Sequence, residues 1–284
     1  MKSVEQMRGA HIAIETVATV QPGESVLVVT DWRNTTVAER LAAAAEERGA
    51  EVTMTVMTPR ERDGSEPPET VASAMAQADV ILTPVERGIS HSTATSEALE
   101  RGARFVDMIR LSPEQLVEGG LYADFEEIRP RVDALTERLT ETSEIHVHTP
   151  AGTNATFGVE GRTGNSHPCI VDEPGTFTGA INVEANTSPV EGTTEGTLVF
   201  DASIPHLDIG VLDEDVIMEV ENGSVTDIEG GPAAERIERI WTDLDDPAVY
   251  NIAQFAIGMN PECREFDGTL QNDHGVYGSV HVGI

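Results

Sequence analysis

Lysine is all but missing from this sequence. Lys2 is the only one, and 18 basic residues against 50 acidic ones leave a formal net charge of -32. The acids are spread through every segment and not gathered in a tail, so the charge describes a whole surface. A surface this anionic repels nucleic acid and anionic membrane alike, which excludes both as partners. Dispersed acids with almost no lysine are the pattern of a protein working in concentrated salt, where screening removes the self-repulsion. A halophile's cytosolic protein is the reading. Cysteine is scarce as well: Cys169 and Cys263 stand far apart and match no zinc spacing, as expected of free, partly buried thiols in a reducing compartment. No apolar run approaches the roughly 18 residues of a membrane helix. The segment after Met1 is polar and helix-like, without the basic and apolar regions of a secretory signal. A soluble, cytoplasmic protein is therefore expected. No G-x-G-x-x-G follows any strand-like run, so dinucleotide binding is not read.

What is present is a chain of 284 residues, enough for two domains. Residues 1–20 carry apolar residues at helical spacing and stop at the turn Gln21-Pro22-Gly23-Glu24. Ser25 to Thr30 is a continuous apolar strand of the kind covered on both faces, Thr35 to Arg48 is a helix closed by Gly49, and Glu51 to Met57 is a second strand. This βαβ pattern repeats through helix 68–77, strand 79–84, helix 92–101 and strand 104–108, which implies a layered α/β domain with a parallel sheet. Asp31, Glu86 and His91 lie near carboxyl ends of strands, where ligands sit in open α/β sheets. His91 has two readings, a cleft residue and a helix-capping or solvated one. Two acid- and arginine-rich helical segments from Ser112 to Glu141 form a connector, and the domain boundary falls near residue 142. Beyond it come short alternating strands with Gly and Asn turns, the hairpin signal Asn222-Gly223, one helix at 233–242 and a helical segment at 248–255. The expectation is an α/β domain over 1–141 and an α+β domain, mostly antiparallel, over 142–284.

Chemistry concentrates in the stretch Gly179 to Asp201, GAINVEANTSPVEGTTEGTLVFD. It places three carboxylates, Glu184, Glu191 and Glu195, within twelve residues beside an apolar strand. Clustered acids next to turn residues are how a chain brings hard oxygen ligands around a divalent cation; the alternative is that two of them are surface acids. His281, in GSVHVGI, sits in an apolar strand, where it is a satisfied core residue or a ligand, neutral imidazole being the commonest transition-metal ligand. His274, in NDHGVYG, reads as an exposed turn residue. His146 and His148 share one face of a strand, a chelating spacing that alternation alone also produces. Arg162 can pair with a substrate carboxylate or with a neighbouring acid.

Together with NIAQFAIGMNP at Asn251 to Pro261 and GSVHVGI at Gly278 to Ile284, this stretch resembles the aminopeptidase T family of metalloaminopeptidases. In the order and spacing of that family, Glu184 stands at the first glutamate ligand, Glu191 and Glu195 at its PVEG and EG positions, and His281 at a ligand histidine. The resemblance thus implies a metal site of Glu184, Gln254 and His281, holding zinc, cobalt or manganese. Glu191 and Glu195 are then the local proton-accepting acids, or else turn formers. Gln254 departs from the family, which has a glutamate there; an amide oxygen can coordinate but cannot act as general base. The family continues into a His-x-Asp pair that supplies further ligands, whereas this chain stops at Ile284, so a C-terminal portion beyond it or an incomplete site is expected.

The leading expectation is a metal-dependent aminopeptidase-like hydrolase acting on small peptides and assembling as a homo-oligomer. Family relatives that are mononuclear iron(II) dioxygenases of dihydroxypyridine rings, with histidine at the position of Gln254, supply the alternative. A non-catalytic relative that binds a small molecule is the third reading. The charge pattern itself predicts that the midpoint of urea unfolding rises as KCl goes from about 0.1 M to about 1 M, the screening length falling from about 10 Å to about 3 Å. A midpoint that stays level or falls would count against salt adaptation.

Overall fold

In the computed structural model, which describes residues 2–284, the first apolar run is the strand Ser25–Asp31, buried from Val26 onward. A strand covered on both faces has no polar alternation, which is why it reads as an unbroken row of Val and Leu. It lies second in a five-stranded sheet of spatial order Glu51–Met57, Ser25–Asp31, Val80–Thr83, Arg104–Asp107, Phe177–Gly179. Every adjacent pair in this sheet is parallel. Helices Thr35–Glu47, Glu69–Met75 and Thr93–Glu100 make the crossovers that parallel pairing requires. Leu27, Val29, Ile81 and Phe105 of the strands pack with Val71, Met75 and Ala98 of the helices, and Phe105 stacks on Phe177 with centroids 5.7 Å apart. Ser92, not His91, caps the helix Thr93–Glu100 by accepting from the Thr95 N–H; His91 is exposed.

The remaining strands form antiparallel sheets. One has the order Ser224–Glu229, Val216–Glu221, Glu195–Phe200, Asn154–Gly158, Glu144–His148, another the order Val280–Gly283, Gln254–Gly258, Glu184–Thr187, Asn165–His167, and Ser203–Ile204 with Gly210–Val211 makes a two-stranded third. Asn222 and Gly223 take φ of 51° and 75°, the doubly positive conformation of a tight hairpin turn that Asn-Gly favours. The architecture is therefore the expected one, an α/β part with a parallel sheet and an α+β part with antiparallel sheets. Among the described residues no helix is long and apolar enough to cross a membrane.

The compact units follow a more interleaved division than a single cut at residue 142. One takes the chain up to Glu127 with His167–Val183 and Asn260–Glu262; the other takes Ile128–Ser166, Glu184–Met259 and Cys263–Ile284. The reason is the strand Phe177–Gly179, which returns to pair with Arg104–Asp107. Three residues are too few to show a period. Two helical expectations also change. Between Ser112 and Glu141 one α-helix, Phe125–Glu141, follows a short turn at Gly120–Tyr122. Residues 248–255 divide into the 3-10 turn Pro247–Tyr250 and the strand Gln254–Gly258, since a short buried apolar run reads alike as helix or strand.

Asp107 closes the strand Arg104–Asp107 and is buried. Its oxygens accept from the Thr83 and Ser90 hydroxyls, each at 3.3 Å, yet burial pushes its carboxyl up from 3.8 to about 6. Because the folded value lies above the unfolded one, the stability tied to the neutral acid is complete below about pH 4 and is lost as pH rises through about 6. Asp107→Asn should flatten the pH 4–6 part of the urea-midpoint profile and raise stability at pH 7 by up to about 3 kcal/mol. An unaltered slope in the variant would show that Asp107 does not titrate in this range.

Candidate metal centre

Strand register brings the site together. Across the antiparallel strands, Gly258 faces Glu184, Ala256 faces both Asn186 and His281, and Gln254 faces Gly283. Paired residues point to the same side of a sheet and residues two apart along a strand share that side. Glu184, Asn186, Gln254 and His281 therefore project from one face, with Ala256, Gly258 and Gly283 leaving room between them. Phe255 points to the other face, where it packs on Phe157 with centroids 5.2 Å apart. Glu184 is 3% exposed, and its Oε2 lies 3.2 Å from His281 Nε2.

The third donor comes from the helix Leu270–Gly275. His274 is partly buried there and not the exposed turn residue expected from its sequence. Its ring stacks on His281, centroids 4.0 Å apart and planes within 13°. Asp273 anchors this helix by accepting from the backbone N–H groups of Asp267 and Gly268 at 2.9 and 3.0 Å. Ligand atoms of Glu184, His274 and His281 all fall within 4.8 Å of one another.

Burial, reinforced by the neighbouring His281, pushes the His274 imidazole down to about 3 against the opposing pull of Glu184. It is thus neutral at physiological pH, the form in which imidazole ligates. Among the described residues His281 Nδ1 has no hydrogen-bond partner. Glu184 Oε1 accepts from Asn186 Nδ2 at 2.6 Å and from Gln254 Nε2 at 3.3 Å, while Asn165 Nδ2 donates to Asn186 Oδ1 at 2.9 Å. One carboxylate with two imidazoles is a donor set that fits a divalent transition metal, and the pairing of two histidines with one carboxylate is that of non-haem iron(II) oxygenases. A cavity of about 480 Å³ opens beside the cluster, with Phe157, Phe200, Phe266, His206, His274 and His281 in its wall.

Other residues go elsewhere. Gln254 turns its amide nitrogen to Glu184 and so meets the cluster as a donor. Glu191 and Glu195, expected as proton acceptors, are exposed and outside the cluster. Glu191 pairs with Arg162, and Glu195 Oε1 accepts from the N–H of Asn222 in the hairpin turn at 2.9 Å. Hydrogen bonding to its own backbone N–H and the Arg162 charge hold the Glu191 carboxyl below its usual range. His146 and His148 do share a face, but an exposed one, and His146 lies 2.6 Å from Glu144 and 3.0 Å from the Thr156 hydroxyl. Asp31 is buried and accepts from the N–H groups of Arg33 and Glu86 at 2.9 and 2.6 Å, closing the loops after its sheet strand. Cys169 and Cys263 are buried thiols, and Cys169 Sγ donates to the Ala180 carbonyl at 2.8 Å.

With the geometry in place, comparison with known proteins separates the readings. A match to the family described as NicX, 2,5-dihydroxypyridine 5,6-dioxygenase, extends over residues 11–280. The 2,5-dihydroxypyridine 5,6-dioxygenase of Pseudomonas putida is 26% identical over 192 residues, 67% of this chain and 53% of that protein; the chain thus spans about half the length of the curated relative it matches. The solved 2,5-dihydroxypyridine dioxygenase structure from Pseudomonas putida KT2440 superposes with a TM-score of 0.81 at 20% identity, covering 97% of this chain and 84% of that one. AmpT from Thermus thermophilus superposes with a TM-score of 0.70 at 15% identity, over 100% and 86% of the two chains. The expected aminopeptidase-like hydrolase is overturned by these matches. Both the family and the curated relative are dioxygenases, and at that identity the likeness to AmpT shows a common fold alone.

Gly258 links strand and helix. A Cβ there would stand 2.2 Å from Val276 O and 2.7 Å from His274 O, backbone atoms that cannot turn aside. Gly258→Ala should therefore push the segment bearing His274 off the sheet, costing about 2 kcal/mol or more in unfolding free energy. Cobalt titration should show weakened binding in the same variant. A variant of unchanged stability and affinity would mean the segment relaxes without moving His274.

Proposed function

Since the chain belongs to the 2,5-dihydroxypyridine 5,6-dioxygenase family, we propose that it is an iron(II)-dependent dioxygenase that opens the ring of a dihydroxylated nitrogen heteroaromatic. The observation that supports this reading most is the donor set itself: Glu184, His274 and His281 in mutual reach on one sheet face, a carboxylate with two imidazoles. Iron(II) held there would supply the redox chemistry toward dioxygen that no side chain offers. Glu184 contributes the anionic charge that balances part of a dication, while neutral His274 contributes a lone pair without repelling it. Gln254 adds no charge and cannot take up a proton, so its part is to hold Glu184. The aromatic wall of Phe157, Phe200 and Phe266 suits a flat ring, which gains from offset or edge contacts with such side chains. A volume of about 480 Å³ lies within the usual range for small-molecule sites.

Protein purified without oxygen in high salt and loaded with iron(II) should consume dioxygen when 2,5-dihydroxypyridine is added. Glu184→Ala and His281→Ala should each lower that uptake by more than the roughly 10–100-fold that loss of an outer hydrogen-bond partner costs. No uptake by the iron-loaded protein, or uptake undiminished in both variants, would refute the assignment.

A further inference from the structure

The oxygen atoms of Glu184 are treated differently by their surroundings. Oε1 takes N–H groups from two side-chain amides, Asn186 at 2.6 Å and Gln254 at 3.3 Å. Oε2 is turned toward His281 Nε2. Each amide is itself held. Asn165 Nδ2 donates to Asn186 Oδ1, which fixes which end of the Asn186 amide faces the carboxylate. Gln254 lies over Gly283, its partner across the strands, where an added Cβ would come within 2.9 Å of Gln254 Cβ and 3.4 Å of Gln254 Oε1. A side chain at 283 would thus displace Gln254 from Glu184.

We propose that Asn186 and Gln254 form an amide clamp that restricts Glu184 to ligation through Oε2. A carboxylate that chelates a cation needs both oxygens. Here Oε1 already accepts two N–H groups, one of them in a short, charge-assisted bond. Asn186 and Gln254 are positioning residues: they act on the metal through Glu184. The inference rests on the metal-site reading of Glu184, His274 and His281 and not on ring cleavage.

Cobalt(II) titrated into the full chain in high salt reads the clamp directly, by stoichiometry, affinity and visible absorption. The wild type should take up one cobalt per chain. Gln254→Leu and Asn186→Ala should weaken binding by about 10–100-fold and weaken the cobalt absorption bands, because the released Oε1 adds to the coordination shell. Gln254→Glu, which exchanges that donor for an anion beside Glu184, should shift the same bands in the same direction. Should Gln254→Leu fail to fold, Asn165→Ala removes only the outermost hydrogen bond and should shift the same bands in the same direction. Unchanged affinity and bands in the clamp variants, with binding abolished by Glu184→Ala, would overturn the clamp while leaving the metal site intact. Cobalt uptake that ignores Glu184→Ala would overturn the metal-site reading beneath it.

Discussion

Strand register is the constraint on which this site depends. Glu184, Gln254 and His281 come from three segments far apart in the chain, and they share a face because Ala256 pairs with Asn186 on one side and His281 on the other. A slip of one residue in Gln254–Gly258 would turn Gln254 away and present Phe255, whose ring packs on Phe157 at the opposite face. The buried phenylalanine pair thus holds the polar face in place. Small residues at Ala256, Gly258 and Gly283 then decide which large side chains fit above them, and the helix carrying His274 closes on the gap that Gly258 leaves.

Burying a carboxylate such as Glu184 is costly unless hydrogen bonds or opposite charge compensate it. This site compensates with amides. Amide donors stabilise the ionised form without adding a cation of their own, so the full negative charge stays available to a metal. Neutral His274 fits the same logic. The outer surface is governed by different physics, since acids so numerous repel one another to the extent that salt does not screen them.

Likeness in fold to both a dioxygenase and AmpT shows why fold alone was a poor guide to activity. Motifs around Glu184 and His281 pointed to a hydrolase because they mark a common scaffold. The amide at Gln254 was the local departure, and its meaning came from the atom it turns toward Glu184.

The sequence by itself determined the layered α/β part, the antiparallel character of the rest and the Asn222-Gly223 turn, and it singled out Glu184 and His281 as candidate ligands. These are local matters of period, turn chemistry and short motifs, each written within a few residues. Only the tertiary structure decided that Phe177–Gly179 joins the parallel sheet, that Gln254 lies on a strand, that Glu191 pairs with Arg162 and Glu195 with the Asn222 N–H, and that His274 stacks on His281. Nothing in NDHGVYG distinguishes a buried histidine from an exposed one. Its placement follows from contacts between segments that are distant in the chain, and such contacts leave no periodic trace in the order of residues.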